Sequence, residues 1–295
     1  MAFLRDIIAT MRPRQWTKNL LVFAAILFAG KASDPRALGQ VALAFVAFCI
    51  LSAAVYLLND ALDAETDAHH PDKRNRPVAA GRIPVHEAIL LAGVCALLGL
   101  AVAHFVTPNF GFLITAVLYL ALTTAYTIWL KHIVILDVLA VALGYVLRAV
   151  AGAEAISVAI SPWLIICTLL LTLFISLAKR RCELILLENG GIEHRRILQH
   201  YSLQLLDQMI AVVTASTLVT YCLYTVDDRT IQVVGTQNLV YTIPLVIYGI
   251  FRYLYLMHEK KLGGQPDQLV LTDIPLLLTI LLYTAIVAAI LYMLP

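Results

Sequence analysis

The chain has 295 residues, of which 61% are hydrophobic and 14% charged, with a formal charge of +2 and a mean hydropathy of +0.86. An average soluble domain carries about 25% charged and about 45–50% apolar residues, and a globule with this surplus would have to expose large apolar patches to water. A soluble globule, a disordered chain and a disulfide-rich secreted scaffold are excluded, and an integral membrane protein is implied.

Nine apolar segments meet or approach the roughly 20 residues that a membrane-spanning helix needs. They cover 17–32, 37–59, 84–106, 109–130, 133–155, 161–178, 206–226, 238–257 and 273–294. The first is short and follows a basic stretch, as the apolar core of a signal peptide would. Its preceding residues Arg12, Pro13, Gln15, Trp16, Lys18 and Asn19 are too specific for a disposable leader, so it is counted as a span. Runs such as Ala42–Leu58 are apolar on all sides, which is not the alternation of a β-barrel. The expected fold class is all-α: a polytopic bundle of nine transmembrane helices forming a single membrane domain over 1–295. Five cysteines, at 49, 95, 167, 182 and 222, lie in or at the ends of apolar segments with no C-x-x-C pair, and are read as small hydrophobes.

Lys and Arg alternate between the loops. Seventeen fall on one side: Arg5, Arg12, Arg14 and Lys18 before the first span, Lys73, Arg74, Arg76 and Arg82 after the second, and Lys131 after the fourth. Lys179, Arg180, Arg181, Arg195 and Arg196 follow the sixth, and Arg252, Lys260 and Lys261 come around the eighth. The other side holds Lys31, Arg36 and Arg229, and Arg148 lies inside a span. The positive-inside rule then places the N-terminus in the cytoplasm and the C-terminus outside. The two long loops, about 60–83 and 179–205, share the cytoplasmic side, where function is to be sought.

The first of these loops opens with Asn59-Asp60-Ala61-Leu62-Asp63-Ala64-Glu65-Thr66-Asp67. At about 100° per residue, positions 59, 60, 63 and 67 fall within one helix face. Three carboxylates together beside a bilayer are costly unless a cation joins them. Oxygen donors without His or Cys point to Mg²⁺, which characteristically binds through carboxylates and substrate phosphates. A solvated acidic helix end is the plainer alternative. Downstream come His69, His70, Pro71, Asp72, Lys73, Arg74, Asn75, Arg76, Pro77, Gly81 and Arg82, a cationic loop suited to diphosphate oxygens as well as to simple positive-inside bias.

Asn59-Asp60-x-x-Asp63-x-x-x-Asp67 resembles the first Asp-rich motif of the UbiA-type prenyltransferase superfamily, whose members are nine-helix membrane proteins. The resemblance covers nearly the whole chain and implies a Mg²⁺–diphosphate site near the cytoplasmic face, with Asn59, Asp60, Asp63 and Asp67 as ligands. Ordinary members carry a second Asp-rich motif after span six. Here that stretch is Ser176-Leu177-Ala178-Lys179-Arg180-Arg181-Cys182-Glu183-Leu184, with three cations and one carboxylate. With Arg12-Pro13-x-Gln15-Trp16-x-Lys18-Asn19, Leu130-Lys131-His132, Leu136-Asp137-Val138, and Tyr201 with Asp207-Gln208, the chain looks like the decaprenyl-phosphate phosphoribosyltransferase branch. The spacing from Tyr126 to Lys131 is one residue longer than the Tyr-x-x-x-Lys common elsewhere in the superfamily.

The branch implies transfer of 5-phosphoribose from 5-phosphoribosyl 1-diphosphate to a polyprenyl phosphate in a bacterial-type inner membrane, for cell-envelope precursors. Lys179, Arg180 and Arg181 are then expected on phosphate groups, and Lys18, Arg76 and Lys131 on the acceptor phosphate. Asn19, Lys73, Tyr201 and Asp207 are further substrate-binding candidates. Asp137 and Arg148 lie about 20° apart around one helix but roughly 16 Å apart along it. They are expected either to line a polar cavity or to make salt links with other spans. Glu183 pairs with Lys179 or contacts a ribose hydroxyl. No nucleic-acid partner is expected, and the sequence carries no signal for oligomeric state. A prenyltransferase with an aromatic acceptor is the nearest rival. A transporter would have no need of a carboxylate cluster confined to one face.

Overall fold

A computed structural model of the chain describes residues 2–70, 73–188, 196–260, 269–270 and 272–292. Asp72, Arg195 and Lys261 of the expected loops lie outside the described residues. Those described are helical and contain no strand, as the composition requires: in lipid, backbone polar groups must be satisfied within the segment.

Eight of the nine expected spans are helices long and apolar enough to cross a membrane. They are α3 (Pro35–Leu62), α5 (Val85–Val106), α6 (Phe110–Ile128), α7 (Leu136–Ala155), α8 (Pro162–Glu188), α9 (Leu203–Val226), α11 (Ile243–His258) with the 3₁₀ turn before it, and α12 (Ile274–Tyr292). Four shorter helices accompany them: α1 (Ala2–Met11), α2 (Ala24–Phe28), α4 (Ala64–Ala68) and α10 (Asp228–Val234).

The first expected span differs. Arg12 takes a left-handed conformation (φ 52°), Pro13 starts a 3₁₀ helix that runs to Phe23, and α2 completes the segment. An α-helix of these 16 residues would reach about 24 Å. With the 3₁₀ rise of about 2.0 Å over its first part, the segment reaches about 30 Å, the thickness of a hydrocarbon core. The tighter winding thus extends a stretch that is otherwise too short.

The sixth span also differs. α8 continues ten residues beyond the expected limit at 178, because Lys, Arg, Glu and Leu are good helix formers and leaving the apolar layer does not by itself end a helix. Lys179, Arg180, Arg181 and Glu183 therefore sit on a helix, not in a loop.

Two compact units make up the chain. The first comprises residues 1–26, 31–130 and 144–160, and in it α3 packs against α5, α6, α1 and the 3₁₀ segment. Asp34 caps α3, its side chain accepting from Arg36 N at 2.9 Å, with Pro35 at the first helical position. Small side chains such as Ala44, Ala47 and Ala53 are fully buried on α3, which lets backbones approach closely. The closest approach is at Gly152 on α7, where a Cβ would collide with the backbone carbonyl of Val22. The second unit comprises residues 27–30, 131–143 and 161–295. There α8 packs on α9, and α11 on α12, around Phe174, Leu177, Leu206, Ile210, Tyr253 and Met257. In both units threonine hydroxyls of the spans donate to their own helix: Thr115 to Gly111 O at 2.9 Å and Thr217 to Val213 O at 2.7 Å.

Gly152→Ala is expected to lower stability by about 1–3 kcal/mol, because a backbone carbonyl cannot rotate away as a side chain can. Gly93→Ala, where nothing lies within 4 Å of the added Cβ, is expected to leave stability unchanged or slightly raised. Melting temperatures of the two variants in detergent check the contrast.

Candidate functional site

In the first unit the polar groups gather at the end of α3. Asp60 lies on its last turn, the helix breaks at Asp63 (φ −92°, ψ 3°), and α4 carries Asp67. The break leaves the hydrogen bonding helical, with Asp63 N donating to Asn59 O at 2.9 Å and Asp67 N to Asp63 O at 2.8 Å. Asp60 and Asp67 are buried, at 2% and 3% exposure, while Asn59 and Asp63 are half-buried. Buried carboxylates require counter-charges. Arg76 supplies one to both: its Nη1 lies 2.6 Å from Asp67 Oδ2 and 3.3 Å from Asp60 Oδ1. Arg12 pairs with Asp60, and Lys73 Nζ lies 3.6 Å from Asp67 Oδ1. Among the described residues no three His, Cys, Asp or Glu side chains converge as a preformed metal site. Asp60 and Asp67 nevertheless already converge on one positive charge, and the donor set is oxygen alone, so its chemistry fits a hard divalent ion.

Arg12 is the residue of this cluster that sequence reasoning left out of the site. The signal was its place beside Pro13, although its partner lies 48 positions away.

A second group lies within the same unit, around Arg148 of α7. Its Nε donates to Asn19 Oδ1 at 2.7 Å, Nη1 to Gly144 O at 2.8 Å and Nη2 to Tyr119 OH at 2.8 Å. Ser52 joins Tyr119 at 3.1 Å and Asn19 at 3.3 Å, and the guanidinium also lies over the rings of Tyr119 and Tyr145. Asn19 is therefore tied into the interior, while Lys18, beside it, is half-buried on the same 3₁₀ segment. Ser52, Tyr119 and Tyr145 were not singled out, since a hydroxyl on an apolar helix has no distinctive pattern.

The second unit holds the remaining candidates. Asp137, wholly buried at the start of α7, accepts from Tyr201 OH at 2.7 Å, and its Oδ2 lies 3.2 Å from Arg180 Nε. Arg180 also pairs with Glu183, so Glu183 meets Arg180 at i−3 as well as standing four residues after Lys179. Tyr201 OH accepts from Ile135 N at 2.8 Å. That bond holds Ile135, a β-branched residue with φ 70°, in a conformation of order 1–3 kcal/mol above the ordinary ones. Burial, and then the bond to Asp137, push the Tyr201 phenol well above its ordinary value, so it stays protonated and donating. Arg181 Nε lies 2.5 Å from Asp207 Oδ1, and His258 Nε2 lies 3.3 Å from the same oxygen. His258 Nδ1 also faces Leu254 O at 3.0 Å. His258 had no sequence signal. Lys131 sits half-buried in the 3₁₀ turn Leu130–His132.

Asp137 and Arg148 thus serve different groups. Asp137 makes the salt link to another span, and Arg148 a network of neutral acceptors.

A family model described as the UbiA prenyltransferase family matches residues 20–180. The chain is 34% identical to the decaprenyl-phosphate phosphoribosyltransferase of Mycolicibacterium smegmatis, over 97% of this chain and 92% of that one. It is 35% identical to the protein of the same description from Mycobacterium tuberculosis, over 96% and 93% of the two chains. The solved structure of a UbiA homolog from Archaeoglobus fulgidus, bound to GPP and Mg²⁺, shares the fold with a TM-score of 0.72 at 19% identity, over 97% of this chain and 99% of that one.

Arg180→Met is expected to cost about 3–5 kcal/mol, since it leaves Asp137 charged and buried without its cation. Tyr201→Phe, which removes only hydrogen bonds, is expected to cost about 1–3 kcal/mol. Thermal unfolding in detergent checks the order, and equal losses would mean that the ion pair is not the dominant contact of Asp137.

Proposed function

Because the chain belongs to the UbiA prenyltransferase family, we propose that this multi-pass membrane protein transfers the 5-phosphoribosyl group of 5-phosphoribosyl 1-diphosphate to a polyprenyl phosphate, with release of diphosphate. The observation that carries this reading is the near full-length similarity to relatives described as decaprenyl-phosphate phosphoribosyltransferases. The Lys179-Arg180-Arg181 arm, where a second acidic motif stands in ordinary family members, supports it. Residues 1–295 act as one transferase domain. With 17 of the 21 Lys and Arg in one set of loops and the span ends adjoining them, the N-terminus and the site face the cytoplasm of a bacterial-type inner membrane and the C-terminus lies outside. The product enters cell-envelope precursor synthesis.

The reaction breaks the bond from ribose C1 to the diphosphate oxygen and forms a bond from C1 to an oxygen of the lipid phosphate. The attacking oxygen is already anionic at neutral pH, so no strong general base is required. Charge develops on the leaving diphosphate, and stabilising it there is the main task. Asp60 and Asp67, with Asn59 and Asp63, would hold Mg²⁺, which when bound would withdraw charge from the diphosphate oxygens. Lys73 and Arg76 bind phosphate oxygens beside them. Arg181 receives the ribose 5-phosphate, with Lys179 on the same helix. Lys18 in the first unit and Lys131 in the second are the separate candidates for the acceptor phosphate, whose tail lies in the lipid. Asp137, Arg180, Glu183 and Tyr201 fix the end of α8 that presents Arg181, and Asp207 keeps that cation in place. Asn19 and Arg148 fix the segment bearing Lys18.

Purified protein with Mg²⁺, labelled 5-phosphoribosyl 1-diphosphate and a polyprenyl phosphate is expected to move label into the lipid phase, and a chelator to stop it. Asp60→Ala and Asp67→Ala are each expected to lower kcat/KM by at least about 10²-fold. Full activity in both variants, or transfer only from a prenyl diphosphate to an aromatic acceptor, would overturn the reading.

A further inference from the structure

The acidic cluster at the end of α3 is already neutralised by the protein. Arg12, Lys73 and Arg76 are three cations against the two buried carboxylates of Asp60 and Asp67 and the half-buried one of Asp63, which leaves these six side chains without net formal charge. Arg76 Nη1 stands between the two carboxylates, within 3.3 Å of one and 2.6 Å of the other. That is where a shared metal ion would have to act.

From this we infer that Arg12, Lys73 and Arg76 are internal counter-ions that exclude free divalent metal, so that the site takes metal only together with a diphosphate. The inference rests on the function proposed above and concerns how that site fills. A divalent ion entering alone would compete with Arg76 for both carboxylates. It would also add two positive charges to a group whose three cations already match the carboxylates of Asp60, Asp63 and Asp67, two of which are buried. A diphosphate arriving with the metal removes both obstacles. Its oxygens accept the guanidinium and ammonium groups as these leave Asp60 and Asp67, and its negative charge offsets the metal's. The same cations thus hold the carboxylates in the empty site and the leaving group in the filled one. Buried carboxylates are never left without a partner in either state.

By linkage, whatever factor diphosphate contributes to metal affinity the metal contributes to diphosphate affinity. The probes are Mn²⁺ and inorganic pyrophosphate on the full-length protein in detergent. Protein-retained Mn²⁺ is measured by equilibrium dialysis at matched free Mn²⁺ activity, which separates the site from chelation in solution. Wild-type protein is expected to hold Mn²⁺ at least about tenfold more tightly with pyrophosphate than without. Arg76→Met is expected to tighten binding of Mn²⁺ alone and to shrink the pyrophosphate effect. Arg76→Lys, which keeps the charge, is expected to leave Mn²⁺ alone weakly bound. Equal Mn²⁺ affinity with and without pyrophosphate in wild type, or no tightening in a folded Arg76→Met protein, overturns the inference and leaves the proposed function standing. No retained Mn²⁺ even with pyrophosphate, in wild type, overturns both. Melting temperatures show whether the variants are folded. If Arg76→Met does not fold, the wild-type comparison and Arg12→Gln, expected to tighten Mn²⁺ alone in the same direction, decide.

Discussion

An ionised side chain inside an apolar bundle has to find its counter-charge in the protein, and this constraint organises both units. Water cannot be relied on there, and an unpaired charge is expensive enough to be excluded. The chain meets the constraint in three ways. Asp60 and Asp67 share cations drawn from sequence-distant segments, Arg180 joins Asp137 and Glu183, and Arg148 is satisfied by the neutral oxygens of Asn19, Gly144 and Tyr119. The third solution uses neutral acceptors in place of a carboxylate. It relies on dipoles and aromatic faces, which are strengthened by the same low dielectric that makes the charge costly.

Of the three non-glycine residues with positive φ among those described, Arg12, Ile135 and Ser157, the first two lie at these groups. Arg12 is left-handed at the point where its side chain turns to Asp60. Ile135 has φ 70° where its N–H meets Tyr201, which in turn holds Asp137. The helix breaks at Asp63, between the two buried carboxylates. Sparsely populated conformations persist only where the surroundings over-determine them. Here the surroundings are charge contacts that no regular helix would bring together. Strain and electrostatics are therefore coupled in this molecule: loosening one of these contacts releases a backbone conformation as well as a charge.

What the sequence revealed, and what it hid, divides along the same line. Eight spans and the Asp-rich end of α3 were legible because hydropathy and helical periodicity are local properties of a short window. The 3₁₀ winding of 13–23 was not, since helical periodicity does not separate it from an α-helix and its neighbour Gly152 lies far along the chain. The helical course of Lys179–Glu188 was obscured because the change from apolar to charged residues marks the edge of a membrane and not the end of a helix. Partner choice was the least legible. Asp137 and Arg148 share a stripe, yet each answers to a residue tens of positions away. Glu183 has a nearer cation in Arg180 than the i+4 rule suggests.

The basic arm shows why a cationic motif is not the same as a cationic site. Of its two arginines, Arg180 is held by Asp137, which has no exposure at all, and releasing it would strand a buried charge at a cost of about 3–5 kcal/mol. Arg181 is paired with Asp207, whose side chain is 40% exposed. A pair open to water on one side is typically worth only about 0–1 kcal/mol. A phosphate can therefore compete for Arg181 where it cannot compete for Arg180. The two adjacent arginines are chemically alike, and burial of their partners separates them: Arg180 is locked to a wholly buried carboxylate, and Arg181 is paired with a half-exposed one. At Arg76 the carboxylate partners are buried while its own side chain is 28% exposed, so solvent reaches the cation and not the acids.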